Sequence, residues 1–277
     1  MAGRLFRRVA AVTFLITVAI IGCLSLAIRT TAGTNASTAI VDFDRAAIRL
    51  LNGYAQRSLI VDRVVSAISG DFMVEGGVML ALFWWAWFAA RDTAGGLEER
   101  RLIVSSLIAV WATALALNVI RDALPFRPRP IVDPALAFRV PVHRGEISEY
   151  LLHGSSFPSG HAAVFFALAT GLWSISVPLG LLGAIHAIFI VCLPRMYLGL
   201  HYPSDTFGGA ILGIAIVSLT NRILRRRPLI ARIVAWSQER PAMFYSLFFI
   251  VSVEIVTWFE SVRRLLRLIG RLGKVVR

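Results

Sequence analysis

Apolar residues in this chain do not alternate with polar ones. They gather in long runs near 9–28, 72–90, 102–124, 161–178, 179–198 and 205–223. Each run is roughly 17–23 residues, about the length that crosses ~30 Å of hydrocarbon at a rise of 1.5 Å per residue. The pattern predicts an all-α protein: a polytopic membrane helix bundle with a six-helix core, because a hydrocarbon interior requires each backbone polar group to be satisfied within its own segment. A further apolar stretch, 242–259, is followed by a basic amphipathic segment, 260–277. The expected organisation is a membrane domain over 1–228 and a C-terminal apolar helix with its basic tail over 229–277.

The polar intervals carry direction. Arg4, Arg7 and Arg8 precede the first run, Arg91, Arg100 and Arg101 lie between the second and third, and Arg225, Arg226 and Arg227 follow the sixth. With the N-terminus inside, all three clusters fall on the cytoplasmic side, as the positive-inside rule prefers. Residues 29–71 then lie outside. There Phe43, Ala47, Leu50, Leu51 and Tyr54 recur at helical spacing, which predicts a short amphipathic helix, either on the outer membrane surface or packed over the bundle. A seventh span at 242–259 would place the basic tail outside, against the same rule; a re-entrant or interfacial segment would not. Glu254 sits within that stretch; an acid there is a functional candidate, and the favoured reading is a Glu near an interface or paired with a tail arginine.

Composition sharpens the class. The chain of 277 residues is 57% hydrophobic and only 16% charged, with a mean hydropathy of +0.72. An ordinary soluble domain carries about a quarter charged residues. The formal net charge of +13 comes from basic residues that, Lys274 apart, are all arginine. They flank apolar runs and form no soluble patch, which argues against a nucleic-acid partner. Cys23 and Cys192 both lie inside apolar runs and suggest no disulfide. The first run continues through Ile28, which favours an uncleaved span over a signal peptide or a lipoprotein cleavage box at Cys23.

Three polar clusters interrupt this pattern: R-D-A-L-P-F-R-P-R-P from Arg121, P-S-G-H from Pro158, and R-M-Y-L-G-L-H-Y-P-S-D from Arg195. Counting crossings puts all three on one face. Arg127, Arg129 and Arg195 offer planar forks that match phosphate oxygens, and the flanking prolines stiffen the loop around Arg129. Ser159 is a favoured N-cap, and the free amides of the helix it opens, with Gly160 admitting close approach, make an anion site; the alternative is an ordinary capped helix with an interfacial His161. His201 and Asp205 are four apart, the spacing that lets a carboxylate fix an imidazole tautomer and leave the other nitrogen as base, nucleophile or ligand; the alternative is a capping Asp with a nearby His. His161, His201 and Asp205 as zinc ligands is a competing reading, disfavoured by the surrounding arginines. An arginine clamp, a helix-end anion site and two histidines together describe phosphoryl transfer, which depends chiefly on positioning and charge stabilisation.

These motifs resemble the type 2 phosphatidic acid phosphatase superfamily, which includes bacterial undecaprenyl-diphosphate phosphatases. The resemblance covers roughly 100–225 and implies a six-helix membrane bundle that needs no metal or other cofactor. It implies His201 as the nucleophile that forms a phosphohistidine, Asp205 as its orienting group, and His161 as the acid that protonates the leaving group. Arg129, Arg195, Ser159 and the Gly160 amide would hold the phosphoryl oxygens. The third motif fits R-x5-H-x3-D, with Pro194 where the family has serine. The first departs: the family has lysine, six residues, then Arg-Pro, whereas seven residues separate Arg121 from Arg129 and five separate it from Arg127. Both Arg121 and Arg127 therefore stand as candidate phosphate ligands. The implied protein is a multi-pass enzyme of the inner (cytoplasmic) membrane with its site facing the periplasm or exterior. Its partners would be a lipid phosphate substrate and membrane lipids, with no obligate protein partner evident.

Overall fold

A computed structural model describes residues 35–141 and 154–258. The first expected span with Cys23, residues 142–153 between the first and second polar motifs, and the basic tail 260–277 lie outside the described residues. The described chain is helical: α1 (Asn35–Asn52), α2 (Leu59–Gly70), α3 (Val78–Ala89), α4 (Ala94–Ala123), α5 (Gly160–Ile175), α6 (Val177–His186), α7 (Leu193–Tyr197), α8 (Pro203–Leu224), α9 (Pro228–Glu239) and α10 (Pro241–Val256). π-Helical turns, Met73–Gly77 and Ala187–Cys192, lead into α3 and join α6 to α7.

Helix starts follow local chemistry. Ser58, Thr93 and Ser159 cap α2, α4 and α5 by accepting from the amides of Val61, Gly96 and Ala162. Proline opens α8, α9 and α10, where its missing N–H costs nothing.

Ala94–Ala123, Val177–Tyr197 and Pro203–Leu224 are long and apolar enough to cross a membrane. A fourth crossing is Leu59–Gly70 with Met73–Ala89, bent by 65° at their junction, if that pair counts as one span. Gly160–Ile175 and Pro241–Val256 are shorter apolar helices of 16 residues. The expected six full-length spans are therefore not all found among the described residues. The protein is a multi-pass membrane protein whose described residues form helices and no strand, and three or four of its described segments meet the length criterion.

Helix α5 is the centre of the bundle, packed by α4, α6 and α8. Its contact with α8 is backbone-close: a Cβ built on Gly209 would lie 2.3 Å from the Ser159 carbonyl oxygen, and one on Gly213 would lie 2.0 Å from that of Ala163. Small residues at such a crossing let two membrane helices gain dispersion contacts that lipid cannot supply. Polar groups inside the bundle are paired: Asn221 of α8 meets Ser105 at 2.6 Å, Ser106 at 2.9 Å and Ser174 at 3.2 Å.

Helix α10 belongs to the same core. Phe244, Phe248 and Ile255 are buried in the cluster that holds Trp87 and Leu168, and the indoles of Trp84 and Trp87 donate to Ser252 and Tyr245 at 3.0 Å each. It lies antiparallel to α3, with Tyr245 beside Trp87 and Val256 beside Gly76. Glu254 is buried, and its Oε2 has no hydrogen-bond partner among the described residues.

The buried face of α1 is Asp44, Ile48 and Asn52, whereas Phe43, Leu50 and Tyr54 are exposed. Of the stripe read from the sequence, Phe43, Leu50 and Tyr54 thus face away from the bundle, while Ala47 and Leu51 are half-buried. Asp44 is buried because Arg127 and Ser204 satisfy it.

Arg225, at the end of α8, lies 3.6 Å from Glu98 near the start of α4. That contact fixes one end of the bundle as the arginine-cluster end. All three polar motifs gather at the other.

Candidate active site

The end of α4, the start of α5 and the α7–α8 corner meet where Arg121 donates to the Pro158 carbonyl at 3.3 Å and the Ser159 amide donates to the Asp205 carbonyl at 3.0 Å. His201 lies in the corner, buried to 3% exposure. Its Nδ1 is 2.8 Å from the Ser156 carbonyl oxygen. A carbonyl only accepts, so Nδ1 carries the proton and Nε2 presents its lone pair. Arg129 Nη1 stands 3.5 Å from Nε2 and donates to the Leu200 carbonyl at 2.7 Å. Burial, together with the charges of Arg129 and Arg195, pushes the imidazole down to about 4 against the pull of Asp205. His201 is therefore neutral at physiological pH.

Asp205 is placed differently from the spacing argument. Its Oδ2 is 3.8 Å from His201 Nδ1, beyond hydrogen-bonding distance. Asp205 instead accepts from the Tyr202 amide at 2.7 Å, closing the first turn of α8, and from Arg127 Nη1 at 2.6 Å. Proline at the start of α8 leaves His201 just outside the helix, so the four-residue spacing does not put both groups on one helical face. Asp205 holds the corner; the Ser156 carbonyl fixes the tautomer.

The two arginine candidates of the first motif separate. Arg127 reaches Asp44 at 2.6 Å, Asp205 at 2.6 Å and Ser204 at 2.7 Å, over the face of Tyr202. Burial alone would weaken its charge, but the two carboxylates more than offset this and raise its pKa. Arg121 instead lies against the P-S-G-H turn: a Cβ on Gly160 would come within 2.7 Å of its Nη2. Glycine at 160 is what admits that guanidinium.

Arg195 is buried and gripped from one side. Nη1 donates to the Ser69 hydroxyl at 2.6 Å and the Ser69 carbonyl at 3.1 Å. Glu75 lies 3.0 Å from Nη1 and 3.1 Å from Nη2. Nε is buried without a hydrogen-bond partner among the described residues. Glu75 sits in the first π-helical turn, and its carbonyl accepts from His186 at 2.8 Å, at the foot of the second. Such turns redirect side chains at functional sites. Ser159 Oγ accepts from the Ala162 amide as the helix cap. His161 follows it, within electrostatic reach of His201, Arg195, Arg121 and Arg129. The indole of Trp258, just past α10, lies on its ring with centroids 3.7 Å apart.

Four contributors escaped the motif reading: Ser156, Ser69, Glu75 and Trp258. Only Glu75 had a sequence signal, an acid inside an apolar run. Among the described residues, no group of three or more His, Cys, Asp or Glu side chains converges in a way that could hold a metal.

Residues 104–229 match the family profile described as PAP2 superfamily. The chain is 25% identical over 173 residues to the bacitracin transport permease protein BcrC of Bacillus licheniformis, covering 61% of this chain and 74% of that protein. It is 28% identical over 145 residues to the putative undecaprenyl-diphosphatase YbjG of Escherichia coli K12, covering 49% and 60%. It is 30% identical over 130 residues to human sphingosine-1-phosphate phosphatase 2, covering 44% and 29%. The aligned part is thus under two thirds of the last two relatives. The matched segment runs from the middle of α4 to the start of α9 and contains all three polar motifs. The similarity to the PAP2 superfamily thus covers residues 104–229, the part of the chain that carries the site.

Proposed function

We propose that this protein is an integral-membrane phosphatase that hydrolyses a lipid phosphate or diphosphate through a phosphohistidine intermediate. Undecaprenyl diphosphate is the favoured substrate, with the site at the outer face of the inner (cytoplasmic) membrane. The similarity to a putative undecaprenyl-diphosphatase favours that lipid. The arginine clusters at the opposite end of the bundle favour that orientation.

The observation that carries the reading is the buried neutral His201, with Nδ1–H held by the Ser156 carbonyl and Nε2 directed to Arg129. In this mechanism the Nε2 lone pair attacks phosphorus, and the bond from phosphorus to the leaving oxygen breaks. His161 gives that oxygen its proton. Water then attacks phosphorus as His161 takes a proton back, the P–N bond breaks, and inorganic phosphate leaves. Arg129, Arg195 and Arg121 hold the phosphoryl oxygens, with the α5 amides behind Gly160. The guanidinium groups supply the charge stabilisation, and the reaction needs no metal. Arg127 is a structural ligand of Asp44 and Asp205.

Purified protein in EDTA should release phosphate from undecaprenyl diphosphate, and His201→Ala should abolish release and the acid-labile phosphoenzyme. Full activity in that variant would sink the assignment. Competition among undecaprenyl diphosphate, phosphatidic acid and phosphatidylglycerophosphate ranks the substrates, and labelled product analysis separates hydrolysis from transfer to another lipid.

A further inference from the structure

A second polar cavity opens at the same end of the bundle, apart from the histidine site. Its volume is about 360 Å³ and its walls carry Arg49, Arg57 and Arg139, with Asn52 between them and Ile48 and Leu136 among its lining. The three arginines come from the end of α1, the α1–α2 turn and the loop after Leu136. None is within ion-pair distance of a carboxylate among the described residues, and no carboxylate lines the cavity. The nearby acids are committed elsewhere: Asp44 to Arg127 and Ser204, Asp133 to Arg45 and Tyr202, and Asp62 to Tyr197 and the Gln56 amide.

The walls are tied together. Asn52 donates to the Arg139 carbonyl at 2.6 Å and accepts from the Arg139 amide at 2.8 Å. Gln56 donates to the Val140 carbonyl at 3.0 Å. Arg49 donates to the Ala135 carbonyl at 3.1 Å, and Arg57 lies over the Tyr54 ring. Three like charges lining one concavity repel each other unless an anion sits between them, and a guanidinium fork matches a phosphate bidentately. Exposed Leu50 on α1 and Tyr54 in the turn after it are placed to meet the bilayer surface, which would put the cavity at headgroup depth.

We propose that Arg49, Arg57 and Arg139 form a second anion site that binds a phosphate group, carried by a lipid headgroup or free as inorganic phosphate. Ile48 and Leu136 pack on Tyr202, next to His201, so one apolar layer separates this site from the histidine corner. This inference does not depend on catalysis at His201.

The test uses the full chain and Arg49→Ala/Arg57→Ala/Arg139→Ala in two kinds of nanodisc. In phosphatidylcholine discs titrated with inorganic phosphate, calorimetry counts bound equivalents. In discs doped with phosphatidylglycerol and free of phosphate, native mass spectrometry counts retained anionic lipid. Loss of one phosphate equivalent in the variant identifies free phosphate, and loss of retained phosphatidylglycerol identifies the headgroup. Equal binding by variant and wild type in both arms overturns the proposal. If the triple variant does not fold, Arg139→Glu at its exposed position serves in its place. It should weaken binding by at least about tenfold, since charge-assisted contacts of this kind carry more than a neutral hydrogen bond. Unchanged affinity there overturns the proposal equally. Turnover of a water-soluble phosphate ester should be unaffected in either variant.

Discussion

Glu75→Gln tests whether the site depends on a residue outside its motifs. Glu75 and Arg195 are both buried, with side-chain exposures of 3% and 7%, and two contacts of 3.0 and 3.1 Å join them. Removing one partner of a buried ion pair costs about 3–5 kcal/mol, because the other charge stays buried without compensation. Glutamine keeps the shape and one acceptor oxygen, recovering about 1 kcal/mol. Its NH2 group then faces an arginine N–H, donor against donor. The net cost is about 2–4 kcal/mol, divided between the folded state and the position of Arg195. At 1.36 kcal/mol per tenfold, even half of that loss expressed in the transition state lowers kcat by about fivefold to thirtyfold. Ser69→Ala removes only the 2.6 Å hydroxyl contact and leaves the Ser69 carbonyl in place, so its effect should be smaller. The double variant should cost less than the sum, because both residues hold the same guanidinium. The assay is phosphate release at saturating substrate in detergent, alongside thermal unfolding of the same samples. Wild-type kcat together with wild-type unfolding in Glu75→Gln would refute the reasoning. So would Ser69→Ala proving the more damaging change.

Three further outcomes follow from the geometry. His201 has a folded pKa of about 4 against an ordinary 6.5, so the unfolded chain binds a proton that the folded protein refuses between those values. Stability should fall by about 3 kcal/mol as pH drops from 6.5 to 4, an effect absent above pH 7 and missing from His201→Gln; parallel unfolding curves for the two proteins would contradict it. Gly160→Ala puts a methyl 2.7 Å from the end of Arg121. Since a flexible tip can yield, the variant should fold normally but bind phosphate more weakly, seen as a raised KM for the lipid. Arg127→Gln strands the buried Asp44 and Asp205 and should lower thermal stability by about 3–5 kcal/mol without raising KM, whereas Arg121→Gln should raise KM; the reverse pattern would exchange their roles.

The sequence by itself determined the class and the chemistry. Long apolar runs demand helices because lipid offers the backbone no partner, and those read at 102–124 and 205–223 stand as Ala94–Ala123 and Pro203–Leu224. The residue types in the three motifs announced phosphate handling, since few groups other than arginine forks, a capped helix start and an imidazole combine for it. Spacing could not decide which atom touches which. Spacing allows Asp205 either to orient His201 or to cap a helix; the chain enters α8 only at Pro203, which leaves His201 outside it, and Asp205 turns to the Tyr202 amide and Arg127. Spacing also left Arg121 and Arg127 equivalent, and only the approach of α1, carrying Asp44, separates them. Ser156 acts through a backbone carbonyl, which any residue possesses, so no side-chain pattern marks it. Glu75, Ser69 and Trp258 arrive from segments 120, 126 and 97 positions away from the groups they touch. Local pattern fixes which groups a helix end presents. The packing of α1 and α2 on the α7–α8 corner, and of Trp258 on His161, decides which of them meet, because those contacts depend on tertiary distances that no short-range periodicity encodes.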